Sequence, residues 1–324
     1  MESATKNKQK QEDIIKMVHH AFGRDLTMED ISIKELTEGY FNVAYEIGLS
    51  GQAVILKIAP DPGATIMSYE KNVMAAEVEG LRRVREETEV PVPQVLFYDD
   101  SKGICNGDYF FMEKLSGESF NKLKGNGLDD FEVNKILYGM GEYNKEINQI
   151  KNSSFGYLGQ PDKQGKEWKD IFLSMISRVL EDGEKIEINL GIEYDRIRNQ
   201  IDRASFSLME VKEPVLVHWD LWDGNVFVKD RKISGIIDFE RALWGDPLME
   251  YYFRQHACQE EFIKGYGTDL RLMAPMRALL YDIYLYLIMI IETKYRNYPD
   301  NWQYQFATSR LAQAVEELDG LLNT

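Results

Sequence analysis

The spacing of apolar residues changes character once, after Leu115-Ser116-Gly117, and that change limits the available folds more than any other feature. Before it, short β-branched runs predict strands at Ile31–Thr37, Val43–Leu49 and Ala53–Ala59. The turn residues Glu38-Gly39 and Ser50-Gly51-Gln52 between them predict an antiparallel meander. An amphipathic helix ending near Phe22 precedes these strands. A helical pattern over Tyr69–Glu87 follows them and stops at Pro91 and Pro93. Two further strands are expected at Gln94–Tyr98 and Asp108–Glu113. Beyond residue 117 helical spacing dominates, over Phe131–Ile150, Glu167–Glu181, Tyr194–Met209, Leu270–Lys294 and Asn301–Leu322. One strand-rich interruption holds Pro214–Val217, Asn225–Lys229 and Lys232–Ile237. The expected architecture is α+β in two lobes. A small antiparallel β lobe spans 1–115, a larger helical lobe spans 116–324, and a hinge lies near 112–116.

Charge and cysteine content narrow the function classes. The 324 residues carry 38 Lys and Arg against 54 Asp and Glu, a net charge of −16. Such a surface repels phosphate backbones and anionic membranes, so neither nucleic acid nor membrane is an expected partner. The two cysteines, Cys105 and Cys258, have no metal-ligand spacing and fit a pair of free thiols in a reducing compartment. The apolar run Leu279–Ile291 is short for a membrane span and is interrupted by Asp282, so it reads as a buried helix. No apolar stretch near the start of the chain resembles a signal peptide, and the expected compartment is the cytoplasm.

The chemistry concentrates in Val217-His218-Trp219-Asp220-Leu221-Trp222-Asp223-Gly224-Asn225-Val226, which contains H-x-D-x-x-x-x-N. That is the spacing of a kinase catalytic loop. A carboxylate, Asp220, can accept the proton of an attacking hydroxyl. An amide oxygen, Asn225, can ligate magnesium without adding charge. Asp238, in Ile236-Ile237-Asp238-Phe239-Glu240, stands at the end of an apolar strand and can hold magnesium against a triphosphate. In the β lobe, Ala53-Val54-Ile55-Leu56-Lys57-Ile58 places a lysine on an apolar strand, like the V-A-I-K strand whose lysine meets nucleotide phosphates and a helix glutamate. Glu77 is the preferred partner for Lys57, with Glu79 and Glu70 as competitors. No G-x-G-x-x-G is present; the candidate phosphate-covering loop is Thr37–Asn42, around Gly39. Trp219 and Trp222 fit core packing or substrate contact equally. Asp246 is read as the cap of a helix starting near Pro247.

These segments together resemble the aminoglycoside phosphotransferase family of small-molecule kinases, over roughly residues 30–300. His218–Asn225 resembles its catalytic loop, and Gly235–Pro247 its metal-aspartate segment. Tyr109–Gly117 resembles its hinge, and Glu77-Val78-Glu79-Gly80-Leu81 its lysine-partner helix. Phe155-Gly156-Tyr157 resembles the loop after the first long helix of its larger lobe. The resemblance implies a two-lobed protein-kinase-like fold. It also implies Mg2+ with an ATP or GTP donor, and adenine contacts from the backbone around Met112, Glu113 and Lys114. Two departures stand out. Glu240 replaces the glycine of a regulated protein kinase, and Asn148 stands where many members carry histidine.

The expected activity is transfer of a γ-phosphoryl group to a hydroxyl of a small molecule, such as an aminoglycoside-like cation. A housekeeping kinase for a sugar or amino alcohol, and a non-catalytic nucleotide-binding module, are the alternatives. The net charge and the carboxylates Asp223, Glu240 and Glu250 near the catalytic loop give the expectation of a cationic or polyhydroxylated acceptor held by acidic side chains.

Overall fold

A computed structural model of the chain describes residues 5–23, 30–37, 39 and 41–323. The first lobe holds helix α1 (Gln11–Phe22), strands β1 (Ser32–Leu36), β2 (Val43–Leu49) and β3 (Gln52–Ile58), helix α2 (Val73–Glu87), and strands β4 (Val95–Asp99) and β5 (Tyr109–Glu113). The strands form one antiparallel sheet in the order β1-β2-β3-β5-β4. The two-residue period of a strand sorts its side chains between two cores. Val54, Leu56 and Ile58 of β3, with Tyr109 and Phe111 of β5, pack against Ile14, Met17 and Val18 of α1. Ile55, Phe110 and Met112 point the other way, toward Met74, Val78 and Leu81 of α2. Lys57 shares the face of Ile55 and is thereby aimed at α2.

Helix α2 starts later than its apolar spacing predicts. Asn72 adopts left-handed backbone (φ 55°), which separates α2 from a 3-10 turn over Ser68–Glu70. Its side-chain amide donates to Gly159 O at 3.0 Å, and a Cβ on Gly159 would lie 2.6 Å from Asn72 O. The second lobe therefore grips the start of α2, a tertiary contact that local spacing does not record.

The second lobe begins with β6 (Glu118–Ser119) and α3 (Phe120–Leu123), then α4 (Asp130–Ile147), β7 (Gly156–Tyr157), α5 (Trp168–Lys185) and α6 (Tyr194–Ala204). It continues with β8 (Val215–Val217), β9 (Val226–Lys229), β10 (Lys232–Ile236) and β11 (Leu243–Gly245). It ends with α7 (Glu260–Tyr266), α8 (Leu270–Met273), α9 (Pro275–Tyr295) and α10 (Trp302–Leu322). Two small sheets, β10-β9-β6 and β7-β11-β8, carry the loops between them. The pattern over Leu270–Lys294 is split because Pro275, which has no N–H to donate, opens α9 at its first turn. The pattern from Tyr194 ends as a helix at Ala204 and passes into a 3-10 turn. The strands β6, β7 and β11 were not expected; two or three residues are too few to show a period. The run Leu279–Ile291 is the buried centre of α9, and no described helix is long and apolar enough to cross a membrane. The larger buried cluster runs from the α2 side of the sheet to α9, so the two lobes share one core.

Candidate active site

The catalytic-loop sequence leaves β8 and turns sharply at His218. Both ring nitrogens of that buried histidine are engaged. Nε2 donates to Ile237 O at 2.8 Å, and Nδ1 accepts from the Asp220 N–H at 3.2 Å. A carbonyl only accepts and an amide only donates, so the ring is the neutral Nε2–H tautomer. Burial likewise holds His218 below its ordinary range. The histidine is thus a brace between the Asp220 loop and the segment leading to Asp238. Its ring also packs on Phe239, with centroids 4.2 Å apart.

The loop is also held from beneath by Glu250, which was expected on the acceptor surface. Glu250 is fully buried, and its carboxylate accepts the backbone N–H groups of Trp219 (3.1 Å), Leu221 (3.2 Å) and Tyr251 (2.9 Å) and the Asn144 amide (3.0 Å). Two of these donors flank Asp220 in the chain. Trp219 itself is left-handed (φ 64°), and its buried ring stacks on Tyr284 at 5.4 Å and 13°. The stack resolves Trp219 as packing; Trp222 is more exposed. Asp220 emerges from this platform half-buried. The Asn225 amide donates to its carbonyl at 2.9 Å and to its carboxylate at 3.3 Å. Burial pushes the Asp220 carboxyl up to about 7, against the pull of the Arg241 guanidinium.

The lysine strand and the metal-aspartate segment meet opposite. Lys57 Nζ lies 2.6 Å from Glu77 Oε1 and 2.8 Å from Asp238 Oδ1. The competitors for Lys57 are engaged elsewhere: Glu70 pairs with Arg296 at 2.6 Å and Glu79 with Arg83 at 2.8 Å. Close approach of α2 to this segment depends on Gly80, one turn after Glu77, where a Cβ would lie 2.8 Å from Phe239 Cβ. Asp238 is left-handed (φ 72°), which directs its carboxylate away from the strand line. Strain of this kind costs on the order of 1–3 kcal/mol and persists where the surroundings enforce it. Asn225 joins the same region through its carbonyl, which accepts the Ile237 N–H at 3.0 Å.

Glu240, expected from the sequence on an acidic acceptor surface, instead completes the cluster beside Asp238. Glu77, Asp238 and Glu240 each bring one carboxylate oxygen within 4.8 Å of the others. With all groups ionised, three carboxylates and one ammonium leave two negative charges, which suits a divalent cation. Glu77 Oε2 is buried and has no hydrogen-bond partner among the described residues, and burial pushes the Glu77 and Glu240 carboxyls up. Burial alone would lower the Lys57 ammonium, but Asp238 and Glu77 hold it above its ordinary range. The arrangement fits magnesium in its charge, its oxygen donors and its orphaned acceptor.

At the expected hinge Met112 is buried. The Glu113 N–H donates to Gln94 O at 3.0 Å, and Lys114 Nζ meets Glu46 at 2.6 Å. The Glu113 carboxylate accepts the Gln94 N–H at 3.0 Å, so the side chains of Glu113 and Lys114 are both directed to neighbours within the first lobe. In the Thr37–Asn42 loop, Glu38 and Tyr40 lie outside the described residues. Asn42 donates to Glu240 at 2.8 Å, and the Phe41 ring lies 5.4 Å from the Arg296 guanidinium. Asn148, at the expected histidine position, is buried between Leu216 O and the Tyr266 hydroxyl. Asp246 caps Leu248 as expected, but the helix it starts is a 3-10 turn, and it also holds Arg277 and Tyr281.

The expectation that Asp223, Glu240 and Glu250 form an acidic acceptor surface is corrected by these contacts. Glu250 is filled by backbone donors. Asp223 is bound by Lys124 at 2.8 Å and by the Tyr252 hydroxyl. Glu240 faces the Lys57 side of the cleft. Sequence spacing cannot tell a carboxylate that braces a loop from one that meets a ligand.

The model of the phosphotransferase enzyme family matches residues 32–279. The chain belongs to the phosphotransferase enzyme family. A Vibrio cholerae protein named "Probable ketoamine kinase" is 27% identical over 203 residues, a match covering 60% of this chain and 65% of that relative's length. A Haemophilus somnus structure named "Putative fructosamine-3-kinase" superposes with a TM-score of 0.68 at 19% identity, covering 94% of this chain and 97% of that one. A thermostable mutant of an aminoglycoside phosphotransferase, in ternary complex with AMP-PNP and hygromycin B, gives a TM-score of 0.66 at 17% identity. It covers 94% of this chain and 98% of its own. At these identities the structural likeness establishes the fold, a two-lobed kinase-like α+β architecture.

Proposed function

We propose that this member of the phosphotransferase enzyme family moves the γ-phosphoryl group of ATP to a hydroxyl of a sugar-like small molecule. The observation that carries the reading is the convergence on Lys57, whose ammonium bridges Glu77 at 2.6 Å and Asp238 at 2.8 Å, in a fold where Asp220 and Asn225 share one loop. Lys57 would neutralise triphosphate oxygens, and Glu77 fixes its position. Asp238 and Asn225 would hold magnesium, with Glu240 beside them; the ion would supply charge neutralisation at the phosphates. Asp220 accepts the hydroxyl proton as the acceptor oxygen bonds to the γ-phosphorus and the bond to the ADP oxygen breaks. Adenine would lie along the backbone of 112–114, at the boundary we propose between a nucleotide lobe (1–115) and an acceptor lobe (116–324).

A ketoamine is the first acceptor to test, because two of the relatives carry kinase names of that class. The test is a screen of fructosyl amines, amino alcohols and aminoglycosides with labelled ATP, with Asp220→Asn as control. That variant folds and binds nucleotide but loses about two to four orders of magnitude in transfer. Wild-type turnover by Asp220→Asn would remove Asp220 from the mechanism.

A further inference from the structure

The loop that leads into β2 reaches the carboxylate cluster with one side chain, Asn42. Val43 pairs with Ile58 and Ala44 with Lys57, so the two-residue period puts Asn42 on the Lys57 face of the sheet. Its amide nitrogen donates to Glu240 Oε2 at 2.8 Å, and Glu240 is grouped with Glu77 and Asp238. An ionised carboxylate only accepts, so nitrogen must be the amide atom turned to Glu240. That leaves the carbonyl oxygen, Oδ1, on the other arm of the amide. It is buried and has no hydrogen-bond partner among the described residues, and Asn42 as a whole is only 8% exposed. A buried acceptor without a donor is costly, and native structures keep one where a ligand or ion fills it. Two such oxygens belong to this one cluster, Asn42 Oδ1 and Glu77 Oε2.

Asn42 is held where it stands by its neighbour in the chain. The Thr5 hydroxyl donates to Phe41 O at 3.0 Å. The buried Phe41 ring lies 5.4 Å from the Arg296 guanidinium, which Glu70 (2.6 Å) and Glu292 (3.3 Å) fix in turn. The loop is thus anchored both to the start of the chain and to the second lobe. The acceptors gathered here are all oxygens, three carboxylates and one amide carbonyl. Hard divalent cations such as Mg2+ and Mn2+ select that set.

We propose that Asn42 Oδ1 is a further oxygen ligand of the divalent cation, supplied by the phosphate-covering loop. This rests on the metal site of the phosphotransfer reading above and deepens it. Cation and loop are then coupled: an ion held by Asp238 and Glu240 of the second lobe also pins the loop of the first, before nucleotide arrives.

The test titrates Mn2+ into the full-length protein, without nucleotide and with AMP-PNP, and measures free Mn2+ by electron paramagnetic resonance. Hydrogen exchange of backbone amides 41–43 is followed in parallel. Asn42→Ala is expected to weaken Mn2+ binding roughly 10–100-fold, the usual effect of losing a group that supports a bound metal. It also removes the slowing of loop exchange that Mn2+ causes in the wild type. Asn42→Asp decides between two roles, because it keeps the oxygen and loses the N–H donor to Glu240. Acting as a ligand, it binds Mn2+ at least as tightly as the wild type. Were Asn42 only a donor that holds Glu240, Asn42→Asp would bind as weakly as Asn42→Ala, and that result overturns the proposal. Wild-type Mn2+ affinity in Asn42→Ala overturns it too. Asp238→Ala separates this inference from the reading beneath it. Weakened binding there, with unchanged binding in Asn42→Ala, removes the Asn42 ligand alone. Unchanged binding in both variants, or no Mn2+ binding by the wild type in either condition, removes the metal site with it.

Discussion

Replacing Glu250 by glutamine keeps the side chain's length and shape but halves its capacity to accept. Each carboxylate oxygen serves two donors: Oε1 takes the N–H groups of Leu221 and Tyr251, and Oε2 takes those of Trp219 and Asn144. An amide nitrogen accepts none, so two buried donors lose their acceptor whichever way the amide is turned. Each orphaned buried donor costs about 1–3 kcal/mol, so the pair costs roughly 2–6 kcal/mol. Removing a buried charge returns part of that. The remainder is a sizeable fraction of the roughly 5–15 kcal/mol that stabilises a folded protein. It lowers the melting temperature by roughly 3–9 °C at most in a chain of this size. Trp219, held at φ 64°, loses one of the anchors that keep it left-handed, and the loop carrying Asp220 shifts with it. The expected result is a kcat at least tenfold lower with nucleotide affinity unchanged, because Glu250 touches neither Lys57 nor Asp238. Thermal melts, nucleotide titration and single-turnover transfer measure the three quantities. Glu250→Gln with wild-type kcat and wild-type melting temperature would refute the bracing role.

Two further outcomes follow from the same geometry. Asp220 must be ionised to accept a proton, and burial pushes its carboxyl up to about 7, so kcat is expected to fall roughly tenfold per unit below pH 7; a profile flat down to pH 5 would exclude it as the base. Asp238→Ala is expected to abolish magnesium-dependent nucleotide binding more severely than Asn225→Ala, because a charged oxygen holds a hard cation better than an amide; a magnesium titration with equal, unaltered response in both variants would remove the metal site.

Local spacing in the chain was enough to place the β1–β3 meander, the lysine on its apolar strand, the buried helix through Leu279–Ile291 and the loop from His218 to Asn225. Those features depend on periods of two or 3.6 residues and on short motifs, which are properties of neighbours in sequence. Glu77 was the preferred partner of Lys57 in the sequence, with Glu70 and Glu79 as competitors, and the docking of α2 is what sets Lys57 against Glu77. Docking is set by the clasp of Asn72 on Gly159 and by the close fit of Gly80 on Phe239. The role of Glu250 was hidden. A carboxylate near a catalytic loop looks the same in sequence whether it faces solvent or takes four buried donors. The ring contacts from Tyr251 through His256 to Phe306 join residues about fifty positions apart, and only the packing of α10 against the 251–256 segment brings those rings edge to face. Contacts between distant segments carry no period, and for that reason the fold was legible in the chain while the supports of its site were not.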